Sequence, residues 1–340
     1  MIRIKDIAEM CGVSTATVSY VIHGKQGKVS KEVREKIEAV IAESGYISNQ
    51  SALSLVSKSS GLIGVAVLNL GESKNIMADP YFGVLFSYLE KEFRKNDKYI
   101  LMLLDQSVDV ILRDARRWNL DGLILCNQLK DMMIEVSSQF SKPVVTIDAS
   151  FEYEYDKLVQ IFIDDFNGGY IMGQYFLSLG HKNAAMIDDS DLEINRYRWR
   201  GFRQAYMESG IVLTEDCHYI IDINKEKIRD GLNRILPEIK KHSAVFCVSD
   251  NYALQLINHL YQNGMRVPDD ISVAGYDDIP YSSYSNPELT TIRQNVEEKA
   301  VTAVNSMMRM LSGKTVKHNV KLPVELVVRK SCREVWRLRE

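Results

Sequence analysis

The sequence predicts an α/β body of two doubly wound parallel-sheet lobes, preceded by a small all-α helix-turn-helix head. Three observations carry that prediction. Residues 1–46 hold three short amphipathic stretches punctuated by glycine. A serine-rich segment follows, with six serines between Ile47 and Ser60. From Gly61 onward, short apolar runs alternate with amphipathic helical stretches, the pattern of parallel βαβ sheets.

In the head, Ile4, Ile7, Ala8 and Cys11 form one apolar face, closed by Gly12. Ser14 is placed to cap a second helix that Gly24 ends. Ser30 caps a third, with Val33, Ile37, Val40 and Ile41 on one side and Gly45 as its stop. Two short helices joined by a tight glycine turn make a helix-turn-helix pattern. Residues 47–60 suit a flexible linker by composition, with room for a short helix over Ser51–Val56.

Strands are expected at Leu62–Leu68, Tyr99–Leu103, Gly122–Leu125 and Val144–Ile147. A second series is expected at Gln160–Ile163, Ala184–Ile187, Tyr219–Ile221, Ala244–Cys247 and Ile271–Ala274. Helices such as Tyr81–Lys95 and Phe166–Leu179 lie between them. Nine strands over this length suit two lobes better than one sheet. Ligands in such folds sit beyond the carboxyl ends of the strands.

Composition narrows the function. With 340 residues and 46% apolar content, the chain can build a large core, which excludes a disordered chain or a disulfide miniprotein. Apolar runs such as Leu62–Leu70 fall far short of a membrane span, so no membrane partner is expected. The amphipathic N-terminus does not read as a secretory signal, and a cytoplasmic location is expected. The cysteines Cys11, Cys126, Cys217, Cys247 and Cys332 form no CxxC pair, so neither a zinc ribbon nor a disulfide framework is suggested. The net charge of −3 divides into +2 for residues 1–60 and −5 for the rest. That asymmetry alone selects no function.

Enzyme signatures are missing: the sequence has no GxxxxGK[ST], no GxGxxG after the first strand, no HExxH and no GxSxG. The six histidines are scattered. The pairs Asp164-Asp165, Asp188-Asp189 and Asp277-Asp278 follow strands, where acids serve as caps or ligand acceptors more often than as catalysts. No catalytic residue, metal or cofactor is expected.

The second helix of the head is informative by angle. Val18, Val21 and Ile22 share one side, and Thr15, Ala16, Ser19 and Tyr20 lie opposite. Such a face of small, hydroxyl and aromatic groups fits a DNA major groove. It would serve equally as the exposed side of a small protein-binding bundle, and angle alone leaves both readings open. Lys25, Lys28, Lys31 and Arg34 stand around the helix end, where they could meet phosphates or simply be solvated.

Longer motifs go further. Ile4-Lys5-Asp6-Ile7-Ala8, followed by Gly12-Val13-Ser14-Thr15-Ala16-Thr17-Val18-Ser19, resembles the head of the lactose/galactose repressor (LacI-type) family. Val29-Ser30, Arg34 and Gly45-Tyr46 continue the likeness. In the body it includes Asp79-Pro80-Tyr81-Phe82, Asp121-Gly122-Leu123-Ile124, Gly180-His181, and Arg198 with Gly201-Phe202. The run Val267–Pro280 is especially specific, and Leu289–Gln294 and Glu325–Arg329 follow in order. The resemblance spans about residues 3–331.

It implies a DNA-binding head (1–46), a hinge (47–60) and a periplasmic-binding-protein-like body (61–340) that dimerises and binds an effector. Double-stranded operator DNA is the implied partner, through Ser14, Thr15, Ala16, Thr17, Ser19, Tyr20, Lys25 and Lys28. Leu55 matches the hinge leucine that wedges into the minor groove. Tyr81, Phe82, Asp148, Arg198, Ser249 and Asp277 match positions around the ligand. Two acids and an arginine suit the hydroxyls of a small-molecule effector, a sugar or sugar phosphate. The chain departs from the family at Ser48 (usually proline), Leu53 (usually polar or basic), Asp165 and Ser249 (each usually asparagine), and Ile223 (often aromatic). The expected protein is a homodimeric repressor of carbohydrate-utilisation genes, since Ser331–Glu340 is too short for a tetramerising coiled coil. A sugar-binding transport protein and a sugar-modifying enzyme are the rivals. The helical head counts against the first, and the missing motifs against the second.

Overall fold

The computed structural model describes residues 2–22, 27–46, 59–67, 76–104, 107–126, 129–152, 156–190, 193–221 and 227–335. The chain forms two compact units, Met1–Ser60 and Gly61–Glu340.

The first unit holds α1 (Ile4–Cys11), α2 (Thr15–Ile22) and α3 (Lys31–Ser44). Gly12 and Gly45 follow α1 and α3 at φ 67° and 63°, the left-handed conformation that lets a helix end sharply. Ser14 Oγ accepts from the Thr17 backbone N–H at 3.1 Å, and Ser30 Oγ from that of Val33 at 3.4 Å, so both serines cap as their positions suggest. Ile7, Ala8, Cys11, Val18, Val21 and Ile37 form the core. The expected stop at Gly24, the side chain of Lys25, the hinge helix over Ser51–Val56 with Leu55, and the departures at Ser48, Leu53 and Ile223 lie outside the described residues.

The second unit alternates strands and helices. Its first half runs β1 (Leu62–Val67), α4 (Pro80–Arg94), β2 (Tyr99–Leu103), α5 (Val108–Arg117), β3 (Gly122–Cys126), α6 (Lys130–Gln139), β4 (Val144–Ile147) and β5 (Leu158–Ile163). The second half runs α7 (Asp165–Ser178), β6 (Ala184–Asp188), α8 (Glu193–Glu208), β7 (His218–Ile220), α9 (Ile228–Ile239), β8 (Ala244–Cys247), α10 (Asp250–Gln262), β9 (Ser272–Asp277) and β10 (Thr290–Gln294). Then come α11 (Val296–Leu311), β11 (Asn319–Leu322) and β12 (Val324–Val327).

Two six-stranded sheets result, ordered β11-β5-β4-β3-β1-β2 and β12-β10-β9-β8-β6-β7. Both are parallel, except that β12 runs antiparallel to β10. Central strands such as Gly122–Cys126 and Ala244–Cys247 are buried throughout, which is why they read as unbroken apolar runs.

The nine strands expected from sequence are all present, with small shifts at their ends. Three more, β10, β11 and β12, were not anticipated. Thr290 and Thr291 of β10 are fully buried although polar, and the Thr291 hydroxyl donates to Asp250 at 2.5 Å. β11 alternates exposed and covered positions at a sheet edge, so neither strand shows an apolar run.

These three strands make the two-lobed architecture. The chain passes from lobe one to lobe two between β5 and α7, back between β10 and α11, and forward again between β11 and β12. The crossings are tied together: the Asp164 backbone N–H donates to the Leu322 carbonyl at 3.1 Å, and Lys321 pairs with the Asp164 carboxylate at 2.6 Å.

Candidate DNA-binding face and effector cleft

On α2, Val18 and Val21 are buried against the head, while Thr15 and Ala16 are exposed. Ser19 and Tyr20 are partly exposed, and Lys28 is exposed. The division of faces expected from helical angle is therefore present. Two of the candidate contacts have a local role as well. Ser14 is exposed but its hydroxyl caps α2, and it lies 2.9 Å from the Thr17 hydroxyl.

In the body, the residues expected to meet an effector gather where the carboxyl ends of both sheets approach the crossings. Tyr81 lies in the first turn of α4, whose N-cap Asp79 accepts from the Tyr81 backbone N–H at 2.9 Å. Asp148 follows β4 at φ 59°. In lobe two, Asp277 ends β9 at φ 113°, and Asp278 follows at φ 57°. Left-handed backbone is costly for any residue with a Cβ, and it concentrates where a site fixes a side chain.

These groups are linked. The Tyr81 hydroxyl donates to Asp148. Lys299, from α11, donates to Asp148, to the Gln294 side-chain carbonyl, and to the Tyr81 hydroxyl at 2.9 Å. The Gln294 amide in turn donates to Asp277 at 2.6 Å. A continuous polar chain thus runs from Asp148 in one lobe to Asp277 in the other. Burial pushes the Asp277 carboxyl well above its ordinary value, with nearby Arg198 opposing. Burial, then the neighbouring Asp148 charge, likewise raises the Tyr81 phenol.

Arg198 is 8% exposed and is held on three sides. Its Nε donates to Asp165 at 2.7 Å, one terminal nitrogen donates to the Val248 carbonyl at 2.7 Å, and its guanidinium lies 3.7 Å from the Tyr276 ring centroid. Asp165, which replaces an expected asparagine, is therefore the arginine's counter-charge. Burial raises its carboxyl, with Arg198 opposing. The arginine's height is set by close packing of α7 on α8. A Cβ on Gly169 would fall 1.9 Å from the Arg198 carbonyl oxygen, and one on Gly201 would fall 1.9 Å from that of Phe166.

Two expected site residues are placed differently. Phe82 is 8% exposed, stacks on Phe86 at 5.7 Å and belongs to the core of lobe one, behind Tyr81. Ser249 is partly buried and caps α10, accepting from the Tyr252 backbone N–H at 3.5 Å. A cavity of about 650 Å³ opens beside the crossings, lined among others by Tyr81 and Val84 of lobe one, Asp277 and Ile279 of lobe two, Arg293 and Gln294; of the expected effector contacts Tyr81 and Asp277 line it, whereas Phe82, Asp148, Arg198 and Ser249 do not. That is room for a small organic molecule.

Lys299 and Gln294 were missed by sequence reasoning. A signal for Lys299 was present: it falls on the same helical face as Ala300, Ala303, Val304 and Met307, where a lysine needs a buried partner. Among the described residues, no group of three or more His, Cys, Asp or Glu side chains could hold a metal, and no helix is long and apolar enough to cross a membrane.

A helix-turn-helix head joined to a two-lobed α/β body defines a class of ligand-responsive DNA-binding regulator, and comparison with known proteins agrees. Residues 3–49 match the bacterial regulatory proteins of the lacI family, and residues 174–332 match the periplasmic binding protein-like domain. The chain is 32% identical to the HTH-type transcriptional repressor PurR of Histophilus somni strain 129Pt, over 98% of this chain and 99% of the relative. It is 30% identical to PurR of Photobacterium profundum, over 98% and 100%. Among solved structures, the Lac repressor dimer bound to operator and the anti-inducer ONPF superposes with a TM-score of 0.84 at 27% identity, covering 98% of this chain and 99% of that one. A LacI family regulator from Enterococcus faecium with bound ribose gives 0.68 at 25% identity, covering 80% and 99%. The chain belongs to the lacI family of bacterial regulatory proteins: it is a DNA-binding transcription regulator of that family.

Proposed function

We propose that this regulator is a cytoplasmic, homodimeric repressor of carbohydrate-utilisation genes, whose operator affinity is set by a sugar-like effector held between the lobes of the body. The working division is a DNA-binding head over 1–46, a hinge over 47–60 carrying Leu55, and an effector-binding and dimerising body over 61–340. One observation carries the effector half of this reading. Asp148 and Asp277 end equivalent strands of the two sheets and are joined across the lobes through Lys299 and Gln294. A ligand shifts an equilibrium only if it binds the two conformations differently, and contact with both lobes supplies that difference.

The relatives named as PurR repressors support repression. The sugar assignment rests on the acid-rich chemistry of the cleft and on the ribose-bound relative. Thr15, Ala16, Ser19 and Tyr20 are the proposed base-reading residues, with Lys25 and Lys28 on phosphates. Ser14 and Thr17 fix the start of the helix. Tyr81, Asp148, Arg198 and Asp277 are the proposed effector contacts. Phe82 supports Tyr81, and Ser249 borders the cleft.

A gel shift on DNA upstream of the protein's own gene tests the regulator reading, with sugars added as candidate effectors. Sequence-specific retention altered by a sugar is expected. Retention that no sugar changes removes the sugar effector, and absence of sequence-specific retention removes operator binding. Tyr20→Ala should change base preference, whereas Lys28→Ala should weaken all sequences alike and flatten the salt dependence.

A further inference from the structure

We infer that the body of this regulator itself touches DNA: the end of lobe one at which the chain arrives from the head contacts phosphates flanking the site that the head reads, through Arg116 and Arg117 at the end of α5. The inference rests on the operator-binding half of the reading above and extends it from the head to the body.

In each lobe the helices run back to the end where the strands begin. Gly61, the first residue of the body, lies at that end of lobe one. Its backbone N–H donates to the Asp121 carboxylate at 3.1 Å, and the Asp121 N–H donates to the Leu62 carbonyl at 2.8 Å. The entering chain is therefore fastened to the connection between α5 and β3. Any DNA that the head holds is tethered to this end of the body and to no other.

The charge here sets lobe one apart. Consider the last turn of each helix together with its connection into the next strand. In lobe one these segments, 91–98, 114–121 and 136–143, carry seven Lys or Arg against four acids. The matching segments of lobe two, 175–183, 205–217, 236–243 and 259–271, carry four against six. Residues 61–340 as a whole have a balance of −5, so the basic end of lobe one runs against the composition of the body. Helix C-termini favour cations, but both lobes turn their helix ends this way and only one is basic. The helix dipole therefore does not account for the difference.

Three of the four acids in lobe one are already matched: Glu92 by Lys95 at 2.6 Å, Asp114 by Arg113 at 3.3 Å and Asp121 by Lys98 at 2.8 Å. The fourth, Asp97, is exposed. Arg116 and Arg117 are exposed and form no ion pair among the described residues, and Trp118 beside them is 52% exposed. A guanidinium is weakly hydrated and matches phosphate oxygens in pairs. A duplex offers one such charge about every 1.7 Å along its axis. Phosphate contacts carry no base information, so the patch adds affinity and orients the body on the duplex without changing the sequence read.

The test uses the full chain and two duplexes cut from the fragment retained in the gel shift. One is the shortest that is still retained, and the other is extended on each side by unrelated sequence of about one helical turn. Affinity is measured against salt for the wild-type protein and for two double variants. The first is Arg116→Ala with Arg117→Ala. The second is Lys240→Ala with Lys241→Ala, the matching cations of lobe two. All four side chains are exposed, and a circular-dichroism melt checks that folding is untouched. On the extended duplex the arginine variant should flatten the log–log salt slope by roughly 1–2, so that over a fourfold rise in salt the wild-type protein loses about three- to tenfold more affinity than the variant. On the shortest duplex the two should be equal, and the lysine variant should match wild type throughout. Equal slopes for the arginine variant and wild type on the extended duplex would overturn the inference and leave the patch to an acidic protein. The same flattening by the lysine variant, or an equal loss on the shortest duplex, would overturn it too. If no fragment is retained specifically, the operator reading fails by itself. The same variants on a random-sequence duplex then decide: a flatter slope for the arginine variant alone upholds contact of the body with DNA, and equal slopes remove it.

Discussion

The two lobes are wound alike but hold their key acid differently. In lobe one the order β2-β1-β3-β4-β5 places Asp148 just beyond the fourth strand, and in lobe two β7-β6-β8-β9-β10 places Asp277 at the end of its fourth. Both residues adopt positive φ. Asp148 is matched by a full opposite charge on Lys299, whereas Asp277 receives a neutral amide from Gln294. In lobe two the ionic pairing has moved one residue on, to Asp278, which bonds Arg293 and Arg329 at 2.6 Å each. A shared topology thus fixes where an acid stands, while the helix or strand packed against it decides how its charge is balanced.

The comparison can be broken most sharply at the α7–α8 contact, where Gly169 and Gly201 bring the two helix backbones together. Gly169→Ala should destabilise lobe two by about 3 kcal/mol, because the added Cβ meets a backbone carbonyl rather than a movable side chain. Urea melts measure this; a loss below the helix-propensity gain of alanine would show that the helices separate freely.

In lobe one, Lys299→Met removes a buried donor from Asp148, Gln294 and Tyr81. The cost should be roughly 2–3 kcal/mol, less than for full burial because Asp148 is partly hydrated. Asp148→Asn combined with Lys299→Met should recover most of it, and a double variant no better than the worse single one would deny the coupling.

Asp277→Ala removes an acceptor that, among the described residues, takes its side-chain hydrogen bond from the Gln294 amide. Folding should change little, and half-maximal effector response should need roughly ten- to a hundredfold more effector, on the order of 1–3 kcal/mol. Operator binding without effector should be unchanged. A circular-dichroism melt with an effector titration separates the two effects, and an unaltered response places Asp277 outside the effector's reach.

The smallest expected effects are in the pH dependence of lobe two. Burial raises Asp250 to about 7, although Ser282, Thr291 and the Ile279 N–H donate to it. An acid raised on folding stabilises fully below its unfolded pKa and loses that contribution as pH rises toward 7. Burial lowers His181 to about 4, with its ring nitrogens 3.0 Å from the Ser243 hydroxyl and 2.9 Å from the Arg333 carbonyl. Its contribution is present above its unfolded pKa and is lost as pH falls toward 4. Asp250→Asn should remove a decline on the order of 1–2 kcal/mol between roughly pH 5 and 7, and His181→Gln a loss of similar size on acidification. Melts across that range that are parallel for wild type and both variants would reject both assignments.

Much of this was legible in the sequence. The head could be read almost entirely, because Ser14, Ser30, Gly12 and Gly45 mark helix ends through local chemistry. The apolar central strands of both sheets were equally plain. What escaped depends on partners distant in the chain. β10 is a strand because residues 290–294 pair with 272–277 and 324–327, and its buried threonines look like surface residues until Asp250 is placed beside them. Lys299 escaped for a similar reason: a lysine in a helix reads as solvated, and the acid that buries it lies 151 positions away. The motifs located Asp148 and Arg198, but not the counter-charges that already occupy them.

The glycines at the α7–α8 contact have a practical consequence. Arg198 is presented by two helices in backbone contact, with Asp165 on one and the guanidinium on the other. Any attempt to retarget this regulator to a new effector by randomising residues around Arg198 will therefore sample a fixed stage. Substitutions at Arg198 or Asp165 change what is displayed, while substitutions at positions 169 or 201 shift the platform beneath it. A screening library that keeps both glycines should retain a far larger fraction of folded, switchable variants than one that randomises the whole stretch.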